Sequence, residues 1–168
     1  MRILGIDPGL LKTGYGIIAS NDSDSIKFIE AGIIKTSSDD SISKRVSDIY
    51  NNLTDIIKEF KPKILVLEKL YSHYKHPVTS ILMGHSRGVI CLCAEQGNVK
   101  LVSYAATRIK KAVTGNGRAG KHQVQSMVKT LLNLNKVPEP FDVSDALGMA
   151  ISHVYIKDMD EKRIGQNT

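Results

Sequence analysis

Four carboxylates stand where solubility alone does not call for them. Asp7 closes the apolar run "RILGID" just before a Pro-Gly turn, and Glu68 closes a second run, "KILVLE". Both runs are short and apolar, the pattern of buried strands. A carboxylate left at the end of such a strand is costly unless a cation or hydrogen-bond donors meet it. Asp142 and Asp145, three apart in "DVSDALGMAISH", lie together on the flank of one helix. Beside them runs an apolar stripe of Val143, Ala146, Leu147, Ala150, Ile151 and Val154. If the four converge they form an all-oxygen ligand set, which suits Mg2+ or Mn2+. Two such ions about 3.5–4 Å apart clamp the attacking and leaving oxygens of an in-line phosphoryl displacement. Simpler readings stand beside this one. Asp7 can cap an Asp-Pro-Gly turn, Glu68 can reach solvent from a strand end, and Asp142 can serve as an N-cap or first-turn residue after "VPEPF".

A second stretch that bears on chemistry is "GNGRAGKH", from Gly115 to His122. It is one residue short of the phosphate-cradling G-x-x-x-x-G-K-[ST] loop, because His122 stands where the magnesium-holding hydroxyl belongs. The segment before it, "TRIKKAV", has the spacing of a basic helix, whereas that loop follows a buried strand. Lys110, Lys111, Arg118, Lys121 and Lys129 would surround one nucleotide with excess cation. They suit a continuous nucleic-acid backbone better, so no nucleotide is expected. Between the two regions, "EKLYSHYKHP" interleaves Tyr71 and Tyr74 with Lys69, Lys75, His73 and His76. Aromatic faces can stack on unpaired bases while cations hold the backbone. A solvated polar loop explains the same residues. So does soft-metal binding by His73 and His76, although no partner cysteine or third histidine lies near.

The elements that must position these groups follow from periodicity. Three strands joined by short turns, "MRILGID", "TGYGIIAS" and "SIKFIEAGIIKT", predict an antiparallel meander. A helix follows a capping stretch at Asp40 and Ser41 and carries Val46, Ile49, Leu53, Ile56, Ile57 and Phe60. "KPKILVLEKL" predicts a buried strand parallel to its neighbour. A helix over Pro77–Gln96 places Gly84 and Gly88 on one face, where another element could come close. "VKLVSYA" is a fifth strand, and helical patterns run through the rest. The fold class is therefore α/β: a mixed five-stranded sheet, three antiparallel strands plus two parallel, flanked by helices. One domain over residues 1–158 is expected, with a loose tail over 159–168.

The chain has 168 residues, 42% of them hydrophobic, and a formal net charge of +6. That size suits one substantial core, and that charge favours polyanionic partners. No apolar run is long enough for a membrane span, and the start lacks a signal peptide's apolar segment. Cys91 and Cys93, two apart on a helix, cannot bridge and read as buried reduced thiols. Both features point to the cytoplasm, with no membrane association.

Taken together, "ILGIDPGLLKTGYGII", "LVLEKLY", "GHSRGVI", "YAATRIKKAVTGNGRAGKHQVQSMVKTLL" and "DVSDALGMAISH" resemble the RuvC family of bacterial Holliday-junction endonucleases, in the same order from about residue 1 to 156. The resemblance implies a ribonuclease-H-like fold and a nuclease that resolves four-way DNA junctions by paired nicks in recombination and repair. It makes Asp7, Glu68, Asp142 and Asp145 the ligands of two Mg2+ ions (Mn2+ in their place). It makes Lys110 and Lys121 phosphate contacts near the cut, with Lys121 aiding catalysis. Tyr71 falls where the family places an aromatic, commonly phenylalanine, that handles the junction centre, and Lys69 replaces a residue that is often glutamine. Lys69, Tyr74, Lys75, Arg87, Lys111 and Arg118 would be further DNA contacts. A homodimer working with the RuvA and RuvB branch-migration proteins is implied as well. Rival readings are a non-catalytic junction-binding protein, a related nuclease that matures ribosomal RNA, and an actin-like or P-loop ATPase.

Overall fold

β1 (Arg2–Asp7), β2 (Lys12–Ala19) and β3 (Lys27–Lys35) form an antiparallel meander. The structure, a computed structural model, describes residues 1–23, 25–69 and 77–165. α1 (Ile42–Phe60) begins where the Ser41 hydroxyl accepts the Lys44 N–H, and it buries Ile49, Leu53 and Ile57. β4 (Ile64–Glu68) then enters parallel to β1. α2 (Pro77–Gln96) leads to β5 (Lys100–Tyr104), which is parallel to β4. α3 (Ala106–Thr114), α4 (Lys121–Leu131) and α5 (Phe141–Gly165) complete the chain. The sheet order is β3-β2-β1-β4-β5, the mixed five-stranded sheet expected from the sequence.

The period-two alternation of the strands sorts their side chains into two cores. Leu4, Ile6, Leu65 and Leu67 pack with Leu53, Ile57 and Ile90 beneath α1 and α2. Ile3 and Val66 face the other way, into a core with Leu147, Ile151 and residues of α3 and α4. Gly5, Asp7 and Glu68 share that second face by the same alternation.

At two glycines the backbone of α5 lies directly against the sheet. A Cβ on Gly5 would stand 1.9 Å from the Ala146 carbonyl oxygen, and one on Gly14 would stand 2.1 Å from that of Asp142. Only glycine admits a helix backbone this close. α3 and α4 cover the opposite side of α5, so its first four turns are buried nearly all round, not along a single stripe. Ser144 and Ser152, both fully buried, satisfy their hydroxyls on backbone carbonyls of the same helix.

One boundary differs from expectation. Residues 159–165 continue α5 and do not form a loose tail. Arg108 of α3 holds Asp160 with two bonds of 2.9 and 3.0 Å, and Lys157 pairs with Glu161 one turn on. Cys93 is buried and Cys91 half-buried, both as free thiols. Among the described residues, no helix is long and apolar enough to cross a membrane.

Candidate active site

Asp7 and Glu68 end adjacent strands on the α5 side of the sheet, and Asp145 comes to them from the second turn of α5. The three line one cleft of about 320 Å3, together with Lys110 of α3 and Lys121, the first residue of α4. Five charged side chains from five elements thus meet at one end of the sheet. The close approach at Gly5 and Gly14 makes this convergence possible, because it sets the start of α5 directly over the end of β1.

The electrostatics of the cleft are those of crowded, desolvated anions. Burial raises the Asp7 carboxyl to about 7, reinforced by Asp145, Asp142 and Glu68 and opposed by Lys121. Burial also raises Glu68, with Asp145 adding to it and Lys110 and Arg87 opposing. Asp145 is raised by burial and by Asp142, against Lys121 and Lys110. Asp142 lies in the first turn of α5 and acts on both neighbouring aspartates, although it does not line the cleft wall.

Among the described residues, no three of these carboxylates are drawn together closely enough to hold an ion as they stand. Like charges in a poorly solvated cleft favour that spread. The donor set nonetheless fits a hard divalent cation: its anionic ligands are all carboxylate oxygens, with no cysteine or histidine lining the cleft. A cation would also relieve the repulsion that raises all three carboxyls.

The expected basic residues divide into three groups. Lys110 and Lys121 line the cleft. Lys69, Lys111 and Arg118 are exposed beyond it, with the Lys69 N–H bonded to the Tyr104 carbonyl at 2.8 Å. Arg87 turns inward instead, donating to the Glu68 carbonyl at 2.6 Å and to the Ser103 hydroxyl at 3.1 Å. Tyr71, Tyr74 and Lys75, with His73 and His76, lie outside the described residues. The "GNGRAGKH" stretch joins two helices, α3 and α4, and so lacks the strand that precedes a nucleotide-binding loop.

Sequence reasoning passed over Phe141 and Ser103. Phe141 stands edge-on to His122 with ring centroids 5.1 Å apart, and the Lys121 ammonium lies 5.8 Å from its ring centre. That contact steadies the lysine at the cleft mouth. An aromatic directly before Asp142 was the available signal.

A ribonuclease-H-like sheet with carboxylates on its central strand, on the strand beside it and on the helix laid across them defines a nuclease class. Residues 3–153 match the family of the crossover junction endodeoxyribonuclease RuvC, and the chain belongs to that family. It is 46% identical over 154 residues to the RuvC of Rhodopirellula baltica, covering 92% of this chain and 86% of that protein. Against the RuvC of Caldicellulosiruptor saccharolyticus it is 44% identical over 154 residues, 92% of each chain. In three dimensions it is similar to Thermus thermophilus RuvC in complex with a Holliday junction substrate. The TM-score is 0.89, with 26% identity over 95% of this chain and 96% of that one.

Proposed function

We propose that this protein nicks four-way DNA junctions by metal-dependent in-line hydrolysis, leaving 5′-phosphate and 3′-hydroxyl ends. The observation that carries the reading is the cleft in which Asp7, Glu68 and Asp145 face Lys110 and Lys121. Asp7, Glu68 and Asp145, with Asp142 beside them, would hold two Mg2+ ions, or Mn2+ in their place. When bound, such ions supply charge to activate water and to stabilise the departing 3′ oxygen. Lys121 neutralises charge that develops on the phosphate as the bond breaks, and Lys110 holds the phosphate from the α3 side. Exposed Lys69, Lys111 and Arg118 extend the basic surface along the DNA backbone, Tyr71 serves the junction centre, and Tyr74 and Lys75 are further DNA contacts.

Two active sites are needed to cut two strands, and α2 supports a homodimer that supplies them. Val78, Ile81, His85, Gly88 and Leu92 follow the 3-4-3-4 spacing of a helix-pairing seam. Val78 is 67% exposed and Ile81 61%, and a Cβ at Gly84 or Gly88 would meet nothing within 4 Å. A second copy would cover this stripe about a two-fold axis. Cytoplasmic action alongside RuvA and RuvB completes the reading.

A gel assay on a synthetic four-way junction tests it. Paired nicks should appear in Mg2+ and not in Ca2+, whose looser coordination supports binding alone. Robust nicking by Asp7→Asn in Mg2+ would overturn the metal-site assignment. Sedimentation should show dimers at micromolar concentration and monomers for Ile81→Asp.

A further inference from the structure

A second basic feature lies on the same face of the sheet as Asp7, on the far side of the start of α5. Asp7 pairs with Gly14 as the last rung between β1 and β2, and Lys12 lies two residues further along β2, past the end of β1. Lys12 is paired directly across from Lys35 on β3. Cross-strand partners share a face, and so do residues two apart, so both lysines belong to the face that carries Asp7. At about 4.8 Å per strand and 3.4 Å per residue, the Lys12 and Lys35 Cα atoms lie roughly 8 and 12 Å from that of Asp7. The Asp142 carbonyl, seated over Gly14, stands between the two regions.

Two like charges placed directly opposite on a sheet destabilise it. Both lysines are exposed, and among the described residues neither is in an ion pair. They line a cavity of about 370 Å3 whose far wall, before α5, carries Glu139 and Pro140. Two ammonium groups and one carboxylate leave a single positive charge. That is the charge of site that one phosphodiester neutralises.

We propose that Lys12 and Lys35 form a second phosphate site, which holds the strand being cut where it leaves the acidic cleft over the first turn of α5. Successive phosphates of one strand stand further apart than the axial rise of about 3.4 Å, so the phosphate held there is roughly one to two nucleotides from the one cleaved. The site gives the strand a second anchor and so fixes its direction through the cleft. It rests on the junction-nicking function proposed above.

The test uses the full-length protein and a four-way junction carrying single neutral methylphosphonate linkages at successive positions on the cut strand. Binding is measured in Ca2+ over a range of salt, and nicking in Mg2+. One linkage one to two nucleotides from the cut should weaken wild-type binding about tenfold, and should not further weaken Lys12→Gln/Lys35→Gln. The double variant should show a salt slope shallower by about 0.9, the value for one phosphate. Its melting temperature should be unchanged or higher, because a like-charge pair is lost. Glu139→Gln should tighten junction binding in the wild type and have no effect in the double variant. A double variant with the wild-type interference map overturns the second site while leaving the nuclease reading intact. So does a Glu139→Gln effect that persists without the lysines. Failure of the wild type to bind or nick the unmodified junction overturns both.

Discussion

The Arg87 guanidinium donates to the Glu68 carbonyl at 2.6 Å and reaches the Ser103 hydroxyl with its other terminal nitrogen. One side chain of α2 therefore ties the ends of β4 and β5 together at the residue that supplies a cleft carboxylate. Its charge also opposes the rise in the Glu68 carboxyl.

Arg87→Ala should lower the nicking rate about tenfold or more, the scale of losing a charge-assisted hydrogen bond. The salt slope of junction binding should stay unchanged, because the guanidinium is engaged with protein acceptors. Arg87→Lys keeps the charge and one donor and should recover part of the rate. A slope shallower by about one unit in Arg87→Ala would show instead that the residue contacts a phosphate.

Asp7 makes the metal-free protein sensitive to pH. Its folded carboxyl titrates near 7, above the ordinary 3.8, so between those values the folded state holds a proton that the unfolded state has lost. The stability tied to that proton is full below about pH 4 and disappears as pH rises through 7. In chelator, Asp7→Asn should therefore melt higher than wild type at pH 8, with the gap narrowing towards pH 5. Adding Mg2+ should raise the wild type more than the variant. A gap independent of pH would count against the assignment.

Lys121→Ala should slow nicking by about 10²-fold, as for loss of one electrostatic stabiliser. Binding should weaken modestly, with a salt slope shallower by about one unit. The Phe141 ring beneath the ammonium gives a second check. Phe141→Leu should reduce nicking less than Lys121→Ala, and the two effects should not add.

Gly5→Ala tests how the cleft is assembled. The added methyl meets the Ala146 carbonyl oxygen, next to Asp145, and α5 must move off β1. A stability loss of about 1–3 kcal/mol is expected from denaturant unfolding. Nicking measured well below the melting temperature should fall further than that loss explains, because Asp145 moves away from Asp7. Full activity in a folded variant would show that the carboxylates tolerate a looser arrangement.

The strands, α1 and α2 were legible because their residues obey simple periods. The short apolar runs "RILGID" and "KILVLE" put Asp7 and Glu68 at the ends of paired strands. The end of α5 was not legible. "MDEKRIG" is polar and reads as a tail, yet it continues the helix, and Asp160 within it pairs with Arg108, 52 residues earlier. The inward turn of Arg87 was hidden for the same reason, since an arginine beside glycine on a helix reads as a surface cation until its acceptors are known.

By itself the sequence determined the kind of chemistry: oxygen ligands at strand ends, lysines on basic helices, and the order of elements that carries them. These are local properties, set by residue type and by periods of 2 and 3.6. Only the tertiary structure decided which charges share a cleft and which stand apart. It set Asp145 over Asp7 through the glycine contacts of β1 and β2, and left Asp142 between that cleft and the Lys12–Lys35 pair. Such distances depend on how closely one helix backbone approaches the sheet. Atoms far apart in the chain fix that approach, and no local pattern records it.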